Sequence, residues 1–229
     1  MQCIEIADIR TSSAIQTAQI LDLRETRKMK MFETKKINLD MPIVLASGSP
    51  RRRELLTEAG YEFAVVEPTL DEPAYLPASN NPVQFAQALA YFKAACIARN
   101  HSDSLVIGAD TVAAVNNKIL GKPKNADHAR EMLHELSHNP HRVITGIAIV
   151  DRKNRRRVIS SDITSIEMHP MTDYQIEEYI KSGEWEGKAG AYGIQGTADK
   201  FVKSVRGSWS NVVGLPLEML TQYFVKLSA

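Results

Sequence analysis

The chain has 229 residues, 44% of them hydrophobic, with 28 basic and 27 acidic side chains and a formal net charge of +1. That length supports one sizeable core or two lobes sharing a cleft. A charge balance this even argues against a general nucleic-acid or membrane-surface binder, so any anion site must be local. The only cysteines, Cys3 and Cys96, exclude a disulfide scaffold or a cysteine zinc site and fit a reducing compartment.

No apolar run approaches the roughly 20 residues that cross a bilayer. The opening MQCIEIADIRTSS carries Glu5 and Asp8 and lacks the basic start and long apolar stretch of a secretory signal. The reading is therefore of a cytoplasmic protein with no membrane partner. Residues 1–41 mix charges of both signs and are set apart as an N-terminal extension of unknown role. A loose tail, a surface helix and residues upstream of a start at Met29, Met31 or Met41 all stay open.

A regular pattern begins at Pro42. The apolar run 43–47 reads as a buried strand. Ser49-Pro50 reads as N-cap and first helical position of a helix that ends at Gly60. Residues 61–66 read as a second strand, and 67–82, rich in Pro, Asn and acids, as a loop. Residues 83–100 predict a helix whose buried face carries Phe85, Leu89, Phe92 and Cys96. A strand over 104–110 ends at Asp110, followed by a strand, an Asn-Asn turn and a short strand over 111–121. Residues 126–138 predict a helix, and 141–151 with 156–168 a long hairpin around a polar, solvated turn. Thr172 and Gln175 form a capping-box pattern before another helix. Residues 184–196 read as irregular, 200–214 as another hairpin, and 215–227 as a closing helix. The alternation predicts an α/β fold with a mixed, twisted sheet and flanking helices.

The stretch LASGSPRRREL (45–55) carries the first chemical signal. Three arginines, 51–53, sit at a helix start, where the helix dipole disfavours bases. Gly48 allows the backbone to approach a ligand, and the Ser47 and Ser49 hydroxyls lie beside free helix amides, a combination that suits phosphate. Bound polyphosphate would turn the disadvantage of the arginines into bidentate attraction. Solvated arginines paired with Glu54 and Glu58 are the plain alternative. Successive arginines point about 100° apart on a helix, so at most one or two face one ligand.

Further charged groups follow. Asp110 and Thr111 stand at an expected strand end, where α/β sheets place ligands. Lys122 follows the short hairpin, Lys93 interrupts an apolar helix, and Asp71 and Glu72 lie in the long loop. Each has an ordinary solvated or turn-capping reading. Together, acids and bases spread over loops suit a metal-bound polyphosphate.

The chain closely resembles the Maf family of nucleoside triphosphate pyrophosphatases. The resemblance rests on LASGSPRRRELL, Asp71-Glu72, LAYFKA (89–94), GADTV (108–112), LGKP (120–123), HRVITG (141–146), KAGAYGIQG (188–196) and VVGLPL (212–217). These stand in family order from 42 to 217, within a Maf-like domain taken as 42–229. It implies a two-lobed α/β fold around a central cleft, a homodimer, and hydrolysis of a triphosphate between its α and β phosphates. KAGAYGIQG is similar to the branch acting on dTTP and UTP. By the same resemblance Asp110 matches the proton acceptor. Arg51, Thr111 and Gln195 match positions tied to substrate choice, and Glu72, Lys93 and Lys122 match residues lining the cleft. A divalent ion, Mg²⁺ or Mn²⁺, is implied, with Asp110 and Glu72 as candidate ligands; base and metal-ligand roles for Asp110 stay open. Gln195 carries both a donor and an acceptor, which suits a uracil or thymine edge. Gly187 departs from the aspartate common just before KAGAY, which leaves the shape of the base pocket open.

Two other classes compete. HELSH (134–138) matches the H-E-x-x-H zinc pattern, but Pro140 ends the helix at once and no third ligand follows at a suitable spacing. A non-catalytic nucleotide-binding regulator would keep Arg51 and Gln195 without needing turnover.

Overall fold

A computed structural model describes residues 36–69 and 81–228. Seven strands form one mixed sheet in the order β2-β1-β3-β5-β6-β7, with β4 paired to β3. In chain order the elements are β1 (Ile43–Ala46), α1 (Pro50–Glu58), β2 (Phe63–Val65), α2 (Pro82–Ala98), β3 (Leu105–Val115), β4 (Lys118–Leu120) and α3 (Ala126–His138). Then come β5 (His141–Asp151), β6 (Arg156–Met168), α4 (Asp173–Lys181), β7 (Val202–Arg206), α5 (Trp209–Val213) and α6 (Leu217–Ser228). β1 lies parallel to β2 and β3, and the remaining pairings are antiparallel.

Local chemistry sets the helix starts. Asn81 accepts from the amides of Val83 and Gln84, and Asn125 accepts from that of His128. The expected capping box is present: Thr172 Oγ1 accepts from Gln175 N, and Gln175 Oε1 accepts from Thr172 N. Each bond satisfies a helix-end group that has no partner within the helix.

The register divides the molecule into two lobes. β1 pairs with β3 only from Leu105 to Gly108, whereas β4 pairs with it only from Ala113 to Val115. β7 joins β6 near the β4 end, because Ile166 lies opposite His141 and Arg142 opposite Ala114. One lobe therefore holds β1, β2 and α1, the other β4, β7, α3 and α4, and the long strands β3, β5 and β6 run through both.

One face of the sheet packs the main core, in which Leu56, Leu133, Leu136, Ile176, Leu220 and Phe224 of four helices meet Ile107, Ile147 and Ile149. Tyr61 and Phe224 pack edge-on within it, ring centroids 5.2 Å apart. The other face is covered by α2, and here the outcome differs from expectation. The buried stripe of α2 is Ala86, Leu89, Ala90, Ala94 and Ala98, while Phe85, Phe92 and Cys96 are half-buried. The cause is close approach. A Cβ on Gly108 would stand 2.2 Å from Ala90 O, and one on Gly146 would stand 2.3 Å from Ala86 O. Glycines on the strands and alanines on the helix let the backbones meet, and larger side chains are turned aside.

Two further expectations are corrected. β3 does not end at Asp110 but continues to Val115, because β5 pairs with it on both sides of that point. Residues 200–214 are not a hairpin. β7 pairs back to β6, Gly207 turns the chain at φ +133°, and the Ser208 side chain caps α5 by accepting from Asn211 N.

The end of the N-terminal extension is docked on the domain. Ile37, Leu39 and Met41 pack on the main core, and Ile37 N donates to Tyr61 Oη at 3.2 Å. Trp185 and Trp209 also pack half-buried against that core. The 152–155 turn is held by buried Asp151, which accepts from Asn154 and Arg156. Among the described residues no helix is long and apolar enough to cross a membrane.

Candidate active site

Between Gly108, where β1 pairing stops, and Ala113, where β4 pairing starts, one edge of β3 is open. Asp110 and Thr111 stand in that gap. Successive side chains on a strand point to opposite faces, so Asp110 turns to the α2 face and Thr111 to the α1 and α5 face. A cleft wraps around the open edge and receives both.

On the α2 side, Lys93 Nζ donates to Asp110 Oδ1 at 2.6 Å. The pair is largely enclosed, with 17% and 13% of the two side chains exposed. The close seating of α2 on Gly108 brings Lys93 within reach, so the glycine–alanine packing is part of the site's construction.

On the other side, Arg52 bolts three segments together. Its Nε donates to Gly214 O at 2.8 Å, Nη1 to Ser47 Oγ at 3.1 Å and Nη2 to Thr111 Oγ1 at 3.2 Å. Burial lowers the Arg52 pKa, and the nearby Asp110 carboxylate works against that shift. Thr111 Oγ1 lies 2.9 Å from Thr145 Oγ1. Thr145 Oγ1 in turn donates to Asn211 O at 2.8 Å.

The cleft has two adjoining compartments. One, about 420 Å³, is walled by Phe85, Leu89, Val112, Val143, Tyr192, Ile194, Val212 and Val213, with Asp110 and Thr111 at its floor. The other, about 670 Å³, is bounded by Ser47, Gly48, Glu67, Phe92 and Glu186. Ser49, Arg51, Arg52, Lys93, Lys122 and Lys188 border both. Arg51 is half-buried, and burial lowers its pKa against the attraction of Glu54. Burial, then the Arg51 charge, likewise lowers that of Lys188. Among the described lining residues Arg51, Arg52, Lys93, Lys122 and Lys188 outnumber the acids Asp110, Glu67 and Glu186, a surplus that favours an anionic guest.

Most of the residues singled out from the sequence meet here: Ser47, Ser49, Arg51, Lys93, Asp110, Thr111 and Lys122. Gln195 does not line either compartment; it is exposed, next to the lining residue Ile194. Glu72 lies outside the described residues. Lys188, Thr145 and Asn211 were not singled out, and Arg52 entered only as one of the three arginines 51–53. Arg52 and Lys188 lie within quoted motifs, but nothing in their spacing separates them from their neighbours.

The H-E-x-x-H residues are occupied elsewhere. His134 and His138 stack with ring centroids 4.6 Å apart. Glu135 Oε2 accepts from Lys118 Nζ at 2.9 Å. Among the described residues no group of three His, Cys, Asp or Glu side chains comes together.

Fold and cleft define a class: a two-lobed, mixed α/β protein whose sheet edge opens onto a cationic cleft. The Maf-like protein family matches residues 42–227, and the chain belongs to the Maf family. The dTTP/UTP pyrophosphatase of Pelotomaculum thermopropionicum is 40% identical over 184 residues, 80% of this chain and 95% of that protein. Those of Clostridioides difficile and Alkaliphilus metalliredigens, with the same name, are 39% and 43% identical, each over 80% of this chain and 96% of their own.

Proposed function

We propose that the protein hydrolyses dTTP and UTP to the monophosphate and pyrophosphate, clearing such nucleotides from the cellular pool. The observation that carries this is the Lys93–Asp110 pair, a carboxylate oriented by an ammonium at 2.6 Å on the floor of a cationic cleft. The three relatives named above carry that activity in their names.

In this mechanism Asp110 orients a water molecule and takes its proton as the water oxygen attacks the α-phosphorus. The bond from the α-phosphorus to the bridging oxygen breaks, and pyrophosphate leaves with the electron pair. Carboxylates act this way at close range. Lys93 holds the carboxylate in place. Arg51, Lys122 and Lys188 offset the charge that gathers on the departing group, the largest demand of phosphoryl chemistry.

A divalent ion fits this donor set. The Asp110 carboxylate and the Ser49 hydroxyl are hard oxygen donors, whereas Ser47 Oγ already accepts from Arg52 Nη1 and Ser49 N; Mg²⁺ is commonly held by one or two carboxylates together with substrate phosphates. When bound, the ion would supply further neutralisation of the phosphates. Glu72 is the second candidate ligand.

A cytoplasmic homodimer belongs to the proposal; Cys96 is a free thiol, as a reducing compartment allows, and light scattering of the purified chain tests the dimer. The activity is tested by pyrophosphate release from a panel of nucleoside triphosphates with Mg²⁺ or Mn²⁺. Selective release from dTTP and UTP is expected. Release from none of them would refute the activity and favour a non-catalytic nucleotide-binding regulator.

A further inference from the structure

The hydrogen-bond chain behind Thr111 has a direction fixed by its two ends. Arg52 can only donate, and its Nη2 donates to Thr111 Oγ1. The Asn211 carbonyl can only accept, and it takes the Thr145 hydroxyl proton at 2.8 Å. Thr145 has no second proton, so in the 2.9 Å contact between the hydroxyls Thr111 is the donor. Thr145 and Asn211 are both 0% exposed, which leaves no water to reverse the order. The Asn211 amide is itself fixed, accepting from Thr145 N at 3.1 Å and donating to Val143 O at 3.1 Å and Thr164 Oγ1 at 2.8 Å.

The Thr111 hydroxyl therefore has its proton turned into the protein and one lone pair held by Arg52. One lone pair is left for a ligand. Thr111 borders the compartment that Phe85, Leu89, Val112 and Ile194 wall and not the one bounded by Glu67 and Glu186. A group that only accepts is a poor partner for a phosphate or a carbonyl and a good one for an N–H.

We infer that Thr145 and Asn211 are positioning residues: they turn Thr111, a position the family resemblance ties to substrate choice, into a committed acceptor that reads the N3–H of uracil or thymine against the bare N3 of cytosine. The choice of pyrimidine nucleotides as the ligand class rests on the function proposed above. The polarity itself rests on geometry alone. It adds two buried residues, Thr145 and Asn211, that nothing in the sequence singled out.

The test is calorimetric binding of α,β-imido-dUTP and α,β-imido-dCTP to the full chain with Mg²⁺. Wild type should prefer the uracil compound by about tenfold or more, the scale of one hydrogen bond gained against one opposed. Thr145→Val lets Thr111 turn its proton outward and should bring the two affinities within about threefold. Thr145→Ser keeps the hydroxyl and should keep the preference. Thr111→Val removes the acceptor, leaves the Thr145–Asn211 bond in place, and should abolish the preference even where Thr145→Val fails to fold. An unchanged preference in either valine variant overturns the inference. The 3′-deoxy form of the uracil compound separates the base from the sugar: disappearance of the Thr145 effect with that ligand would assign the contact to the sugar hydroxyl and overturn the reading. Because the readout is binding, absence of turnover would refute the pyrophosphatase reading without touching this measurement.

Discussion

Lys93, on α2, and Asp110, on β3, form an ion pair at 2.6 Å across the α2–sheet interface, at the edge of the cleft. The pair is directional in consequence: one carboxylate oxygen is held by the ammonium and the group cannot rotate freely. Lys93→Met removes that restraint along with one cation of the cleft. It should lower kcat/KM for dTTP about 100-fold, the scale of losing one well-placed electrostatic contact. Lys93→Arg, which keeps the charge, should recover part of the loss in steady-state kinetics.

The seating of α2 makes a stability prediction. Gly108→Ala would put a Cβ 2.2 Å from Ala90 O and 2.7 Å from Ala94 N, both backbone atoms that cannot step aside alone. The helix would have to lift, at a cost of about 3 kcal/mol. Thermal unfolding should fall by roughly 6–12 °C. The same lift carries Lys93 away from Asp110, so activity measured well below the melting temperature should fall as well.

A pH effect follows from His141. Burial pushes its pKa down from 6.5 to about 4. Its Nδ1 lies 3.4 Å from Asn139 O, which can only accept, so Nδ1 carries the proton and Nε2 accepts from Tyr192 Oη at 2.7 Å. Between pH 6.5 and about 4 the unfolded chain binds a proton at this position that the folded chain does not. Stability therefore falls as pH drops through that window, by up to about 3 kcal/mol from this group. Denaturant unfolding at stepped pH should show this slope in wild type and lose it in His141→Gln.

What was legible in the sequence followed from local chemistry. The strand β1, the helix α3 and the Thr172–Gln175 capping box depend on neighbouring residues and stand where the pattern put them. The α2 helix was legible as a helix but not for its buried face. Periodicity favoured Phe85 and Phe92, whereas burial went to alanines because Gly108 and Gly146 lie opposite them. The turn at Gly207 and the short helix α5 were missed because Ser210 and Asn211 are weak helix formers; long-range bonds hold them, Ser210 Oγ to Glu218 and Asn211 to β5 and β6. Among three adjacent arginines, the sequence had no means of separating Arg52, tied to Gly214 and Thr111, from Arg51, which faces the cleft. That distinction depends on where residue 214 comes to rest.

The most direct measurement is pyrophosphate release from dTTP by wild type and by Asp110→Asn, with Mg²⁺, at matched folded concentration. The substitution keeps the shape of the side chain and removes its capacity to take a proton. A fall in kcat of about 10²- to 10⁴-fold is expected, the range of general-base contributions. Turnover close to wild type in Asp110→Asn would contradict it.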